Sequence, residues 1–112
     1  FSGYDKIMEV PFLSGCFMFL RTEALREVGL FDERIFLYTE DTDLTRRIHR
    51  RYRTIFYPQA VIYHYNQRGS YKNAVKLLHH VFSAITYFNK WGWFNDNERK
   101  FINERILVKF AQ

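Results

Sequence analysis

Hydrophobic periodicity divides the chain into a strand-like first part and a helical last part. The run Leu13-Ser14-Gly15-Cys16-Phe17-Met18-Phe19-Leu20 is apolar apart from two small residues, the pattern of a strand buried on both faces of a sheet. Before it, residues 1–12 carry Gly3, Asp5 and Pro11 and read as a loop or irregular edge. After it, Thr22 caps a short helix over 23–28 that Gly29 ends. A turn at Leu30-Phe31-Asp32-Glu33 then leads into an aromatic stretch. Thr39, a good N-cap residue followed by acidic residues, predicts a second helix running to about Arg51.

Two short strands follow, one over 54–57 stopped by Pro58 and one over 60–65. From 71 to 89 the period becomes helical. Tyr71, Ala74, Val75, Leu78, Val81, Phe82, Ile85 and Phe88 share one face, and Lys72, Lys76, His79 and Lys90 the other. Trp91-Gly92-Trp93-Phe94 breaks this helix, and Asn95 with Glu98 has the spacing of a capping box for a last helix to about Phe110. Aromatic residues at the break, beside a basic face, fit a membrane interface, packing against the body of the protein, or a second subunit.

Composition narrows the class. A chain of 112 residues holds one domain at most and starts at Phe1 rather than Met, as an excised piece would. With 47% apolar and 20% aromatic residues it is not a disordered chain. The single Cys16 forbids an internal disulfide, supplies no familiar zinc site, suits a reducing compartment and reads as a buried thiol. No run reaches the roughly 18 apolar residues of a membrane span and no signal peptide opens the chain, so the expectation is a soluble, cytoplasmic protein. The net charge of +5, with five arginines between Arg46 and Arg53, makes an anionic partner worth considering.

Candidate chemistry concentrates in Glu40-Asp41-Thr42-Asp43, three carboxylates in four residues. At about 100° per residue, Leu37, Asp41, Leu44 and Ile48 form one stripe facing the protein. Glu40, Asp43, Arg47, Arg50 and Arg51 form another, read as a solvated surface with i,i+4 pairing of Asp43 and Arg47. Asp41 is the carboxylate aligned with the apolar stripe, and its i+4 position is Thr45 rather than a basic residue. Two readings stand: a general base, or a carboxylate capping backbone amides at the helix start. Asp32 and Glu33 read as a solvated turn. His64 ends the 60–65 strand beside a loop holding Arg68, Gly69 and Ser70, where α/β folds place ligand groups, although a structural histidine fits as well. Neither a Rossmann nor a P-loop motif is present.

Taken in order, Gly15, the turn Gly29-Leu30-Phe31-Asp32-Glu33, the segment Tyr38-Thr39-Glu40-Asp41-Thr42-Asp43-Leu44 with Arg47, then Pro58, His64 and Gly69-Ser70 resemble the C-terminal half of bacterial family 2 glycosyltransferases, particularly the rhamnosyltransferase-like group. The likeness covers about residues 11–70. It implies an α/β fold, the C-terminal half of a GT-A type mixed sheet with flanking helices, followed by a two-helix tail over 71–112. The nucleotide-binding half, with its Asp-x-Asp, would be missing from 1–70, so this chain alone would lack a complete donor site.

The same resemblance implies inversion by direct displacement, with Asp41 of the Glu40-Asp41 pair as general base. It suggests Gly15, Arg68 and Ser70 for donor or substrate binding and His64 for a divalent metal, Mg or Mn, that neutralises the leaving nucleoside diphosphate. Partners would be a nucleotide-sugar donor and a glycan or lipid-linked acceptor in cell-surface polysaccharide synthesis, with peripheral contact at the inner membrane face or a homodimer made through the tail. The alternative class is a non-enzymatic basic helical module binding a membrane surface or nucleic acid. Nucleic acid is disfavoured because Asp32, Glu33, Glu40 and Asp43 would repel phosphates beside the arginines.

Overall fold

A computed structural model describes residues 5–35, 38–65 and 73–111, with side chains to Val108. It is a mixed α/β structure of four helices and one small sheet among these residues. Strand β1 (Met8–Glu9) pairs antiparallel with β2 (Ile55–Phe56), Met8 opposite Phe56 and Glu9 opposite Ile55. The pairing continues at its edge, where Val10 N–H donates to Thr54 O at 2.9 Å. The buried Thr54 hydroxyl bonds Val10 O and lies 2.7 Å from His49 Nδ1. The expected strand at 54–57 is therefore present, shortened by the turn after Pro58.

Helix α1 (Thr22–Val28) ends at Gly29, whose φ of +88° lies where glycine is favoured, as the sequence predicts; Thr22 is the first helical residue and Arg21 the cap position. Helix α2 (Glu40–His49) buries Leu44 and Ile48, the predicted inward stripe. It stops two residues before Arg51. Thr39 occupies its cap position, but with φ +53° and no side-chain capping bond, so the expected cap is not made.

Two other expectations give way. Residues 13–20 are an irregular loop with Cys16 and Phe17 exposed and Phe19 95% exposed, and 60–65 are exposed and not a strand. A strand needs a ladder on its edges, and among the described residues none flanks either segment. The sheet of two short strands does not by itself define a GT-A fold.

Helix α3 (Ala74–Trp91) is capped by Asn73, whose side chain accepts from Val75 N–H at 2.9 Å, and ends before Gly92. Helix α4 (Asn97–Ala111) is capped by Asp96, which accepts Arg99 N–H at 3.0 Å, rather than by Asn95. The core contains Ala24, Ile35, Leu44, Ile48, Tyr87 and Ile106. Asp43, Thr45, Arg46, His49, Thr54, Ser83 and Asp96 are buried with them, so α2 is held largely through polar groups.

α3 packs with the face opposite to the one its apolar period suggests. Ser83 and Tyr87 are its buried residues, flanked by Lys76, His79, His80, Lys90 and Trp91, while Val75, Leu78, Val81, Phe82 and Ile85 stay exposed. The reason lies on α2, whose facing side offers carboxylates and guanidinium groups that only polar partners can satisfy.

Candidate active site

The site forms where the loop carrying Gly15 meets the first turn of α2. Gly15 N–H donates to Asp41 Oδ2 at 2.7 Å, and Thr42 N–H donates to Asp41 Oδ1 at 2.8 Å. Two backbone amides thus fix the carboxylate plane. The Thr42 hydroxyl also reaches Oδ1, at 3.5 Å; with about four acceptor positions on a carboxylate, Oδ2 retains room for one further donor. The approach is close: a Cβ on Gly15 would stand 3.1 Å from Asp41 Cβ and 3.3 Å from Oδ2. Thr45 Oγ1 donates to Asp41 O at 2.7 Å and reaches Leu13 O at 3.3 Å, so one hydroxyl fastens the loop to the same turn of helix.

The entry to α2 is strained. Tyr38 and Thr39 have φ of +62° and +53°, a left-handed pair without glycine. The Tyr38 ring stacks on His80 of α3 with centroids 4.5 Å apart. Burial holds the Glu40 carboxyl above the ordinary range, its own backbone hydrogen bond opposes this, and the Asp41 charge adds to the rise. Glu40 Oε2 is buried without a hydrogen-bond partner among the described residues.

Asp43, two residues on, does something else. Of the stripe expected to be solvated, Arg50 and Arg51 are exposed, but α3 covers Asp43, which is fully buried. It accepts Trp91 Nε1 at 2.8 Å, Lys90 Nζ at 2.8 Å and Arg47 Nε at 3.1 Å. Lys90 also bridges to Asp32 at 2.9 Å, and Arg34 grips the same Asp32. Asp32 is therefore a half-buried ion-pair partner rather than the solvated turn residue expected, while Glu33 is exposed.

The arginines are also occupied. Buried Arg46 is bound in a fork by Asp96, reaches Tyr87 OH at 3.3 Å, and lies with its guanidinium 4.2 Å from the Trp91 ring centre. Arg50 bonds Glu98 at 2.6 and 2.7 Å and lies 4.6 Å from the same ring. Arg47 donates to Val28 O and Leu30 O, and Arg51 pairs with Glu27. Sequence reasoning missed Trp91, His80 and Asp96 as partners of this helix, because an indole and a carboxylate some fifty residues away carry no periodic signal.

Of the other expected site residues, His64 is exposed; Arg68 and Ser70 lie outside the described residues. No group of three or more His, Cys, Asp or Glu able to hold a metal ion forms among the described residues, so no metal ligand is assigned there.

Comparison with known proteins agrees with a sugar-transferring class. Residues 2–79 match the family model described as Glycosyltransferase like family 2, and the chain belongs to that family. Among curated relatives, it is similar to N-acetylglucosaminyl-diphospho-decaprenol L-rhamnosyltransferase of Mycobacterium tuberculosis, in strains CDC 1551 / Oshkosh and ATCC 25618 / H37Rv. Each is 32% identical over 88 residues, which cover 75% of this chain and 29% of the relative. The chain thus spans less than a third of the length of the curated relatives it matches. No solved structure matches it.

Proposed function

We propose that this chain is the acceptor-side part of an inverting glycosyltransferase in which Asp41 is the general base. The observation that supports the reading is the Gly15–Asp41 bond, which orients a carboxylate at the mouth of α2 and leaves an acceptor position on Oδ2. A sugar hydroxyl is a poor nucleophile until its proton leaves. As its oxygen bonds the anomeric carbon, the proton passes to an Asp41 oxygen and the bond from that carbon to the nucleoside-diphosphate oxygen breaks. Burial raises the pKa of the Glu40 carboxyl, which disfavours a second negative charge beside the base.

The donor in this reading is a nucleotide sugar bound largely by a nucleotide-binding half outside this chain. The acceptor is lipid-linked, as the printed name of the relatives suggests, and the work is done at the inner face of the membrane in building a cell-surface polysaccharide. A GT-A sheet would then be completed by the outside half, alongside the loop at 13–20. A basic binding module is the weaker reading, because Arg46, Arg47, Arg50 and Arg51 are all ion-paired within the chain.

The test is nucleoside-diphosphate release by the full-length protein with Asp41→Asn. A loss on the order of 10²-fold or more at unchanged donor affinity is expected. Unchanged turnover would make Asp41 a structural carboxylate.

A further inference from the structure

We propose that a cleft between α2, α3, α4 and the chain at Pro11 and Phe12 seats one sugar ring of the acceptor; the inference rests on the reading of Asp41 as base. The cleft has a volume of about 180 Å³, with Phe12, Thr42, Arg46, Tyr87, Arg99 and Asn103 in its walls. It adjoins the carboxylate. Thr42 donates its N–H to Asp41 Oδ1 at 2.8 Å, and its hydroxyl lies 3.5 Å from the same oxygen. Arg99 and Asn103, four residues apart, share a face of α4 and so arrive at the cleft together.

The chemistry of the walls selects the occupant. The Tyr87 hydroxyl accepts from Arg46 at 3.3 Å and keeps its own proton to give. The side chains of Arg99 and Asn103 make no hydrogen bond among the described residues, so a guanidinium and a carboxamide are unspent at one place. Phe12 is 45% exposed and offers a ring to the apolar face of a pyranose. Apolar walls with a few polar groups are the usual make-up of a small-molecule site. Arg46 is already matched by Asp96, so a neutral polyol suits the cleft better than a phosphate. The volume is that of about six waters at roughly 30 Å³ each, room for one sugar ring and too little for a nucleotide. Tyr87, Arg99 and Asn103 all lie beyond the residues 2–79 that match the family model. Acceptor choice is thereby assigned to the part of the chain outside that match.

The test is saturation-transfer difference NMR on the full-length protein without donor, using the methyl glycosides of glucose, mannose, rhamnose and N-acetylglucosamine as probes. At least one should bind wild type with Kd on the order of millimolar. Asn103→Ala and Phe12→Leu, both at exposed positions, should each raise that Kd about three- to tenfold while the melting temperature stays that of wild type. Asp41→Asn should bind the glycoside as wild type does, whatever its turnover. No saturation transfer from wild type to any probe at on the order of 10 mM overturns the proposal. So does an unchanged Kd in either cleft variant. Because binding is read without turnover, an active Asp41→Asn would sink the catalytic reading and leave the sugar seat standing, and an inactive one with no glycoside binding would do the reverse.

Discussion

The indole Nε1 of Trp91 donates at 2.8 Å to Asp43 Oδ1, a fully buried carboxylate 48 residues earlier in the chain. This bond, with the Lys90 and Arg47 contacts to the same group, divides the acidic cluster at 40–43 into two jobs. Asp41 faces the Gly15 loop, and Asp43 holds α3. Trp91→Phe retains the ring beside Arg46 and removes the donor, so it should destabilise by about 1–3 kcal/mol in chemical denaturation. A midpoint within error of wild type would show that water replaces the indole at no cost.

Arg46 and Asp96 form the second fastening. Arg46→Met leaves Asp96 buried without its fork and should cost about 3–5 kcal/mol. Asp96→Ala additionally uncaps α4, about 1 kcal/mol more. The double variant should be less unstable than the sum, with a coupling of about 0.5–3 kcal/mol in a double-mutant cycle. Strict additivity would mean that the two side chains do not interact in solution.

Gly15→Ala places a methyl 3.1 Å from Asp41 Cβ, so loop or carboxylate must shift. Turnover by the full-length protein should fall on the order of tenfold while stability changes little. Cys16→Ser, at the exposed neighbour, should leave both unchanged; equal losses from the two substitutions would point to the loop as a whole rather than to the Asp41 clasp.

Acid should loosen the attachment of α3 and α4 to α2. Arg34 first, and then Lys90, hold the Asp32 carboxyl well below its ordinary range; Arg46 lowers Asp96 and Arg50 lowers Glu98. A group with a lowered folded pKa contributes fully above its unfolded value, about 4, and that contribution is lost as pH falls further. Glu40 runs the other way: its raised folded pKa gives a contribution that is full below about 4.3 and is lost as pH rises through the folded value. Melting temperature should therefore drop below about pH 4, and Asp32→Asn should make that drop shallower. An equally steep drop in the variant would remove Asp32 from the account.

Local signals in the sequence were read correctly where the structure uses them locally. Gly29 ends α1, Leu44 and Ile48 face inward, Ile55 and Phe56 form a strand, and Gly92 stops α3. Asp41 on the inward stripe also meets Gly15, itself one of the expected site residues. What escaped was set by distant partners. The i,i+4 spacing of Asp43 and Arg47 is the same on a wet or a covered helix, and only the arrival of Trp91 and Lys90 distinguishes them. The apolar period of α3 located the helix but reversed its packing face, since α2 presents charge rather than hydrocarbon. Residues 13–20 carry the pattern of a two-sided strand, yet a pattern cannot supply the neighbouring strands.

Tyr38 and Thr39 enter α2 through left-handed backbone that L-residues adopt at a cost of about 1–3 kcal/mol each. Directed evolution would expose what that cost supports. A library at these two positions screened for heat resistance alone should return glycine and asparagine, which relax the turn. Screened for turnover it should retain an aromatic at 38, where the ring lies on His80. The two screens would then draw different sequences from one scaffold, separating the residues that keep it folded from those that aim its carboxylate.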